Sequence, residues 1–301
     1  MKKLLLSATA LACLSAPVFA ADLPSRKEPA AAPPPSMWTG FHAGLNAGAI
    51  WNNATSASIE TYALSPIRFL PGATSTLYGN MNLDSTVDFI GGGQIGYDLQ
   101  IPFNNAGFVA GIEADIQGIA ASGGNSSKLS FFPGPRSGDL GATSFDASSS
   151  LNYLGTVRGR IGYLVTPTLL VYGTGGFAYG EANVNITNYQ TFYSRIFRTN
   201  TYSAYGYGSA SGMQVGYAVG GGGEWMFEPN WSIKVEYLYY DLGNADGGTA
   251  NLLRLPNRSI NGDPSAVQSS STINAPFQGN IVRGGFNYHF NLGVAPVVAA
   301  F

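Results

Sequence analysis

The sequence predicts an all-β protein: an eight-stranded antiparallel transmembrane β-barrel with short periplasmic turns at one end and four long extracellular loops at the other. Three observations predict it. After an N-terminal leader, apolar residues recur at every second position, which is the period of a strand. Beyond that leader no run approaches the roughly 18 apolar residues that a spanning helix needs. Aromatic residues make up 13% of the chain and charged residues only 11%, against about a quarter charged in ordinary soluble domains. A barrel in lipid accounts for all three, because only alternate residues have to be apolar.

Residues 1–20 read as a secretory signal peptide. Met1-Lys2-Lys3 is a basic start, Leu4 to Leu14 an apolar stretch, and Ala16-Pro17-Val18-Phe19-Ala20 a small-residue cleavage region. The chain's one cysteine, Cys13, falls inside this segment and reads as an ordinary apolar-region residue rather than a lipoprotein box. The mature chain then has no thiol chemistry and no disulfide. Residues 21–37 form a Pro-rich periplasmic tether, with Ala30-Ala31-Ala32-Pro33-Pro34-Pro35 keeping it extended. Residues 38–290 form the barrel and 291–301 a C-terminal tail.

The strands follow in order. The first directs Phe41, Ala43, Leu45, Ala47, Ala49 and Trp51 outward and His42, Gly44, Asn46 and Gly48 inward. The second places Val87, Phe89, Ile95, Tyr97 and Leu99 opposite Asp88, Gln94 and Asp98. The third sets Phe108, Ala110, Ile112, Ala114 and Ile116 against inward Glu113, Asp115 and Gln117. The fourth sets Leu151, Tyr153, Val157, Ile161 and Tyr163 against Asn152, Arg158 and Arg160. The fifth, Leu169 to Gly180, is apolar on both faces, so its register stays open. The sixth has Met213, Val215, Tyr217, Val219 and Trp225 outward and Gln214 and Glu224 inward. The seventh has Trp231, Ile233, Val235, Tyr237 and Tyr239 outward and Lys234 and Glu236 inward. The eighth has Val282, Phe286, Tyr288 and Phe290 outward and Arg283, Asn287 and His289 inward.

Short links at 101–107, 165–168 and 227–230 alternate with long ones at 52–86, 121–150, 181–212 and 242–279. That alternation is the plan of outer-membrane barrels, and closure removes edges that lipid could not satisfy. Trp38, Trp225 and Trp231 fall at the short-turn rim and Trp51 at the opposite rim, the expected levels of an aromatic girdle.

Glu113, Asp115, Arg158, Arg160, Glu224, Lys234, Glu236 and Arg283 are all expected in one narrow lumen. Side chains fill the interior of an eight-stranded barrel, and unpaired charge there is costly. Complementary pairing is therefore expected: Glu113 and Asp115 with Arg158 and Arg160, and Glu224 with Lys234 and Glu236 on neighbouring strands. Such a network serves either as a salt-bridged plug or as an ion path, and strand count favours the plug.

Other motifs carry less. Gly91-Gly92-Gly93-Gln94-Ile95-Gly96 matches G-x-G-x-x-G, yet it sits within an alternating strand with no helical pattern after it, so it reads as strand glycine. His42 and His289 should meet at the closing seam. Two histidines alone make a weak metal site. No G-x-S-x-G, H-E-x-x-H or C-x-x-C occurs, and catalysis is not expected. Asn188 to Arg198 is aromatic and basic, fitting either a contact with lipopolysaccharide phosphates or a host molecule, or a strand rising above the membrane.

Several stretches are more distinctive than alternation. Trp38-Thr39-Gly40-Phe41 after the Pro-rich segment, RGRIGYLVTPTLLVYGTGGFAYG (158–180), EWMFEPNWSIKVEYLYYDLG (224–243) and NIVRGGFNYHF (280–290) resemble the small porin-like outer-membrane proteins of alphaproteobacteria. These are the RopB-type or outer membrane immunogenic protein barrels, related to the OmpA transmembrane domain. The resemblance covers essentially the whole mature chain. It implies an eight-stranded surface barrel in the outer membrane of a Gram-negative bacterium, abundant, structural and sometimes antigenic. Heme binding, attributed to some members, carries over to no residue here. A terminal aromatic residue read by the barrel-insertion machinery is also implied. Phe290 fits that assembly signal, with Phe301 beyond it as the alternative.

The expected function is a structural surface barrel contributing to envelope integrity. The alternatives are a narrow porin-like channel for ions or small solutes, and an adhesin or receptor acting through the loops. No cofactor is expected. The expected partners are outer-membrane lipid, lipopolysaccharide, the insertion machinery and, through the loops, a host-surface ligand. A formal net charge of −2 gives no reason to expect nucleic acid.

Overall fold

Alternation is realised along nearly every strand. The computed structural model describes residues 37–52, 55–63, 79–83, 86–103, 106–120, 124–133, 140–194, 199–246, 250–254 and 267–290. The signal peptide, all but the last residue of the tether, and the tail 291–301 lie outside the described residues.

Eight strands form the ring: β1 (Gly40–Asn52), β4 (Val87–Phe103), β5 (Ala106–Ala120), β7 (Leu140–Thr166), β8 (Leu169–Ser194), β9 (Thr199–Glu228), β10 (Trp231–Asp246) and β12 (Val267–Phe290). They pair antiparallel in that order, and β12 closes on β1. Four further strands add to the long-loop end. They are β2 (Thr55–Ala63), β3 (Gly79–Leu83), β6 (Gly124–Pro133) and β11 (Ala250–Arg254). β2 pairs with β12 and β3, β6 with β7, and β11 with β9 and β12.

The four long connections keep their places, and their described residues are almost all strand. β7, β8, β9 and β12 run 27, 26, 30 and 24 residues, where about 9–11 tilted residues cross a bilayer. The ring therefore continues as a tube well beyond the lipid. Alternation over 141–150 and 182–190 signals it, with Phe145, Ala147, Ala182, Val184 and Ile186 buried at every second position. Asn188 and Tyr189 of the aromatic, basic segment lie on β8. Residues 195–198 are outside the described set.

The register of β8 is settled by its partners. Leu170, Tyr172 and Ala178 point inward and are buried, whereas Val171 and Phe177 are exposed on the lipid side. The strand looked apolar on both faces because its inward end belongs to an apolar layer. On β7 a register shift between Leu151 and Leu154 reverses the expected parity, so Leu151 is buried inside and Asn152 exposed outside.

The interior is not polar throughout. The lumen is stratified. Trp38, Val109, Leu164, Leu170, Tyr172 and Met226 pack together at the short-turn end. An ionic belt lies above them. Above the belt the interior is again apolar, with Ile50, Ile90, Leu154, Leu238, Phe277 and Ile281 in one cluster.

The outer wall is apolar over one bilayer's depth. On β10, Trp231, Ile233, Val235 and Tyr237 are exposed in succession. Val235 lies midway between the aromatic ends of that strand. Val235→Arg is therefore expected to destabilise the barrel in vesicles by about 2–4 kcal/mol, read as a lower urea midpoint. Ser211→Arg, above the apolar band, should leave the midpoint unchanged. Equal effects would contradict this placement of the membrane.

Candidate functional site in the barrel lumen

The belt arises because inward positions at one height carry charge on most strands. His42 comes from β1, Asp98 from β4, and Glu113 and Asp115 from β5. Arg158 and Arg160 come from β7, Glu224 from β9, Lys234 and Glu236 from β10, and Arg283 and His289 from β12. All are buried. In this belt five carboxylates face three arginines and one lysine. His42 has Asp98 3.2 Å from Nδ1 and Glu113 3.4 Å from Nε2. A hydrogen on each nitrogen would supply the fifth positive charge.

Arg158 is the hub. Its Nη2 donates to Glu113 and to Asp115, both at 2.9 Å, and its Nη1 donates to Glu236 at 3.0 Å. Arg283 Nη2 donates to Asp115 at 2.9 Å and to Glu236 at 2.6 Å. Arg160 holds Asp98 through both Nε and Nη2 and donates Nη1 to Glu224 at 2.8 Å. Lys234 Nζ reaches Glu113 Oε1 at 2.7 Å and Oε2 at 2.8 Å. In the ring, β10 and β5 stand four places apart, so this contact spans the lumen.

One expected pairing differs. Glu224 and Lys234 are register partners on β9 and β10, yet Lys234 turns to Glu113. Glu224 instead accepts from Arg160, from Ser232 Oγ at 2.5 Å and from Asn287 Nδ2 at 2.8 Å. In so narrow a tube the opposite wall lies within reach of a lysine, so strand adjacency does not decide partners.

Sequence reasoning also left Asp98, His42 and His289 out of the network. The signal for Asp98 was a glycine. Asp98, Gly111 and Arg160 lie in one register row. A Cβ on Gly111 would stand 2.1 Å from Asp98 Oδ1, so the bare glycine lets two long side chains meet over it. Gly96 does the same for His42, whose ring lies 2.5 Å from where a Cβ would sit.

His42 and His289 pair across the closing seam with ring centroids 5.5 Å apart. With Asp98 their ligand atoms lie within 4.8 Å of one another, near enough to hold a metal. Their existing contacts compete with one. Asp98 is bound by Arg160, whose positive charge adjoins the cluster. His289 Nε2 lies 2.9 Å from Ser232 Oγ and 3.2 Å from Glu224. The donor set fits an ion-pair network better than a cation site.

The aromatic positions divide. Trp225 (49%) and Trp231 (39%) are exposed at the short-turn end, and Trp231 stacks on Phe286 and meets Tyr288 edge-on, each at 4.8 Å. Trp51 is half-buried at the opposite end of β1. Phe290 is exposed at the end of β12 and pairs with Phe41.

Trp38 is a correction: it is 1% exposed and does not join the lipid-facing girdle. It precedes the alternating strand. Height at the short-turn rim alone suggests the girdle, but the even-numbered positions of β1, such as His42 and Asn46, face inward, and Trp38 falls on their side. The indole Nε1 donates to Pro167 O at 2.9 Å, and the ring packs edge-on against His289 at 5.6 Å. Trp38 therefore caps the belt from the short-turn end.

An eight-stranded ring with an apolar outer band and a paired ionic interior is a transmembrane β-barrel. Residues 6–255 match the family described as outer membrane protein beta-barrel domain, and the chain belongs to that family. It is 30% identical to the 31 kDa outer-membrane immunogenic protein of Brucella melitensis over 298 residues, 96% of this chain and 100% of that one. It is 34% identical to a 22 kDa outer membrane protein of Rhizobium leguminosarum over 113 residues, 36% of this chain and 44% of that one. Among solved structures, OprG of Pseudomonas aeruginosa aligns at 13% identity and TM-score 0.39, covering 84% of this chain and 96% of that one. The protein is an outer-membrane barrel.

Arg158→Ala would leave Glu113, Asp115 and Glu236 short of a shared cation. Breaking a buried pair in this way is expected to cost about 3–5 kcal/mol, measured as a lower denaturation midpoint in detergent. An unchanged midpoint would mean that the belt does not hold the barrel.

Proposed function

We propose that this chain is a structural surface barrel that contributes to envelope integrity and does not conduct. The observation that supports the reading most is the Lys234–Glu113 contact, which crosses the lumen between opposite walls. Arg158–Glu236 and Arg283–Asp115 cross it as well, each joining strands three places apart. Apolar layers above and below offer a hydrated ion no replacement for its water shell.

The same contacts favour a non-catalytic reading. The belt carboxylates and imidazoles are cut off from solvent and lie against cations or hydrogen-bond donors. An acid–base or nucleophilic group has to reach a substrate.

The test is electrical. Purified barrel in a planar lipid bilayer is expected to give no stepwise conductance under applied voltage. Reproducible unitary steps that persist after repurification would replace this reading with the channel.

A further inference from the structure

The strand extensions change chemistry at the level of Asn152 and Glu181. Below it the outside of the wall is apolar, with Val157, Phe177, Met213 and Val215 exposed. Above it the alternation persists, and on β7, β8 and β9 the outward residues are mostly Ser, Thr, Asn and Tyr, while β6 adds exposed Leu129 and Phe131 near its upper end. Segments 141–150, 183–190 and 204–211 together hold one carboxylate, Asp146, and no Lys or Arg, and β6 adds a single cation, Lys128, outside the groove lining. An ordinary solvated surface carries about a quarter charged residues, so solvation alone does not account for this composition.

On this face β6, β7 and β8 form an open groove of about 660 Å³. Asn125, Ser127, Asp146, Ser148, Asn185 and Thr187 line it. Its side chains are loosely tied to one another. Asn185 Nδ2 donates to Ser148 Oγ at 3.4 Å, and Tyr207 OH donates to Asn185 Oδ1 at 3.3 Å. Asn183 and Asn152 continue the ladder of amides downward to Glu181. Tyr205 and Tyr207 stand beside it on β9, 44% and 55% exposed.

We propose that this groove binds a neutral-sugar segment of the lipopolysaccharide surrounding the barrel. Hydroxyls and amides that both donate and accept match the hydroxyls of a sugar ring. Exposed tyrosines offer flat apolar faces with a polar tip, at low entropic cost. The groove lining has no cation to hold a phosphate or sulfate, and Asp146 repels one while accepting hydroxyl hydrogens. Height points the same way. Asn185 lies four residues beyond Glu181 along β8, roughly 13 Å of strand at about 3.3 Å per residue, or about 10 Å of height at a barrel strand's usual tilt. That places the groove beside the saccharide rather than the acyl chains or their phosphates.

The experiment uses the full barrel in a zwitterionic detergent without sugar headgroups. It is titrated with oligosaccharide released from the bacterium's own lipopolysaccharide by mild acid, and binding is followed by calorimetry. Saturable binding is expected, little changed by added salt. Asn185→Ala and Thr187→Ala should each weaken it about tenfold, with the unboiled gel mobility of the barrel retained. If either variant loses that mobility, Ser148→Ala, which removes a hydroxyl alone, takes its place. No saturable binding, or equal binding by the variants, overturns the proposal. So does binding confined to heparin or another sulfated glycan and abolished by salt, which would mark a polyanion site.

Discussion

Eight strands closed on themselves leave a lumen only a few side chains across, and that width governs the rest of the structure. Inward positions cannot all carry a long side chain. Glycines therefore share the inner wall with charged residues, and the bare positions become the floor on which a neighbour's arginine or carboxylate lies. Asp98 and Arg160 meet over Gly111, and His42 lies over Gly96. Once charges are held that close in a dry interior, each must find an opposite charge. The result is contacts between walls as well as between neighbouring strands.

This explains what the sequence could and could not show. Strand period, lipid face and charged height were all legible, because parity is local and needs only a count of two. Partners were not legible where they depended on the tube's diameter. Glu224 and Lys234 are adjacent in register, yet Lys234 bonds the opposite wall. Trp38 lies at girdle height, but it shares the even-numbered, inward side of β1 with His42, so height alone misplaces it. The strand extensions were read mainly as loops. Their outward residues are mostly Ser, Asn and Thr, which resemble turn residues when the buried Phe145, Val184 and Ile186 between them are overlooked.

The interior has three layers with separate tasks. The Trp38 layer closes the short-turn end and shields the belt from the periplasm. The belt ties strands that do not touch through their backbones. The apolar layer above carries the same wall out of the membrane as a tube whose core is made like that of a soluble sheet. One alternating pattern thus runs through two solvents. Only the outward residues change at the lipid boundary, from Val and Phe to Ser, Asn and Tyr.

The belt is proposed to be sealed from water, paired and closed. Hydrogen exchange at the guanidinium Nε of Arg158, Arg160 and Arg283, followed by NMR of the barrel in lipid nanodiscs, tests it most directly. The account predicts three well-dispersed signals that exchange far more slowly than a free arginine. Collapsed signals exchanging at the rate of water-exposed guanidinium groups would contradict it and describe a hydrated lumen instead.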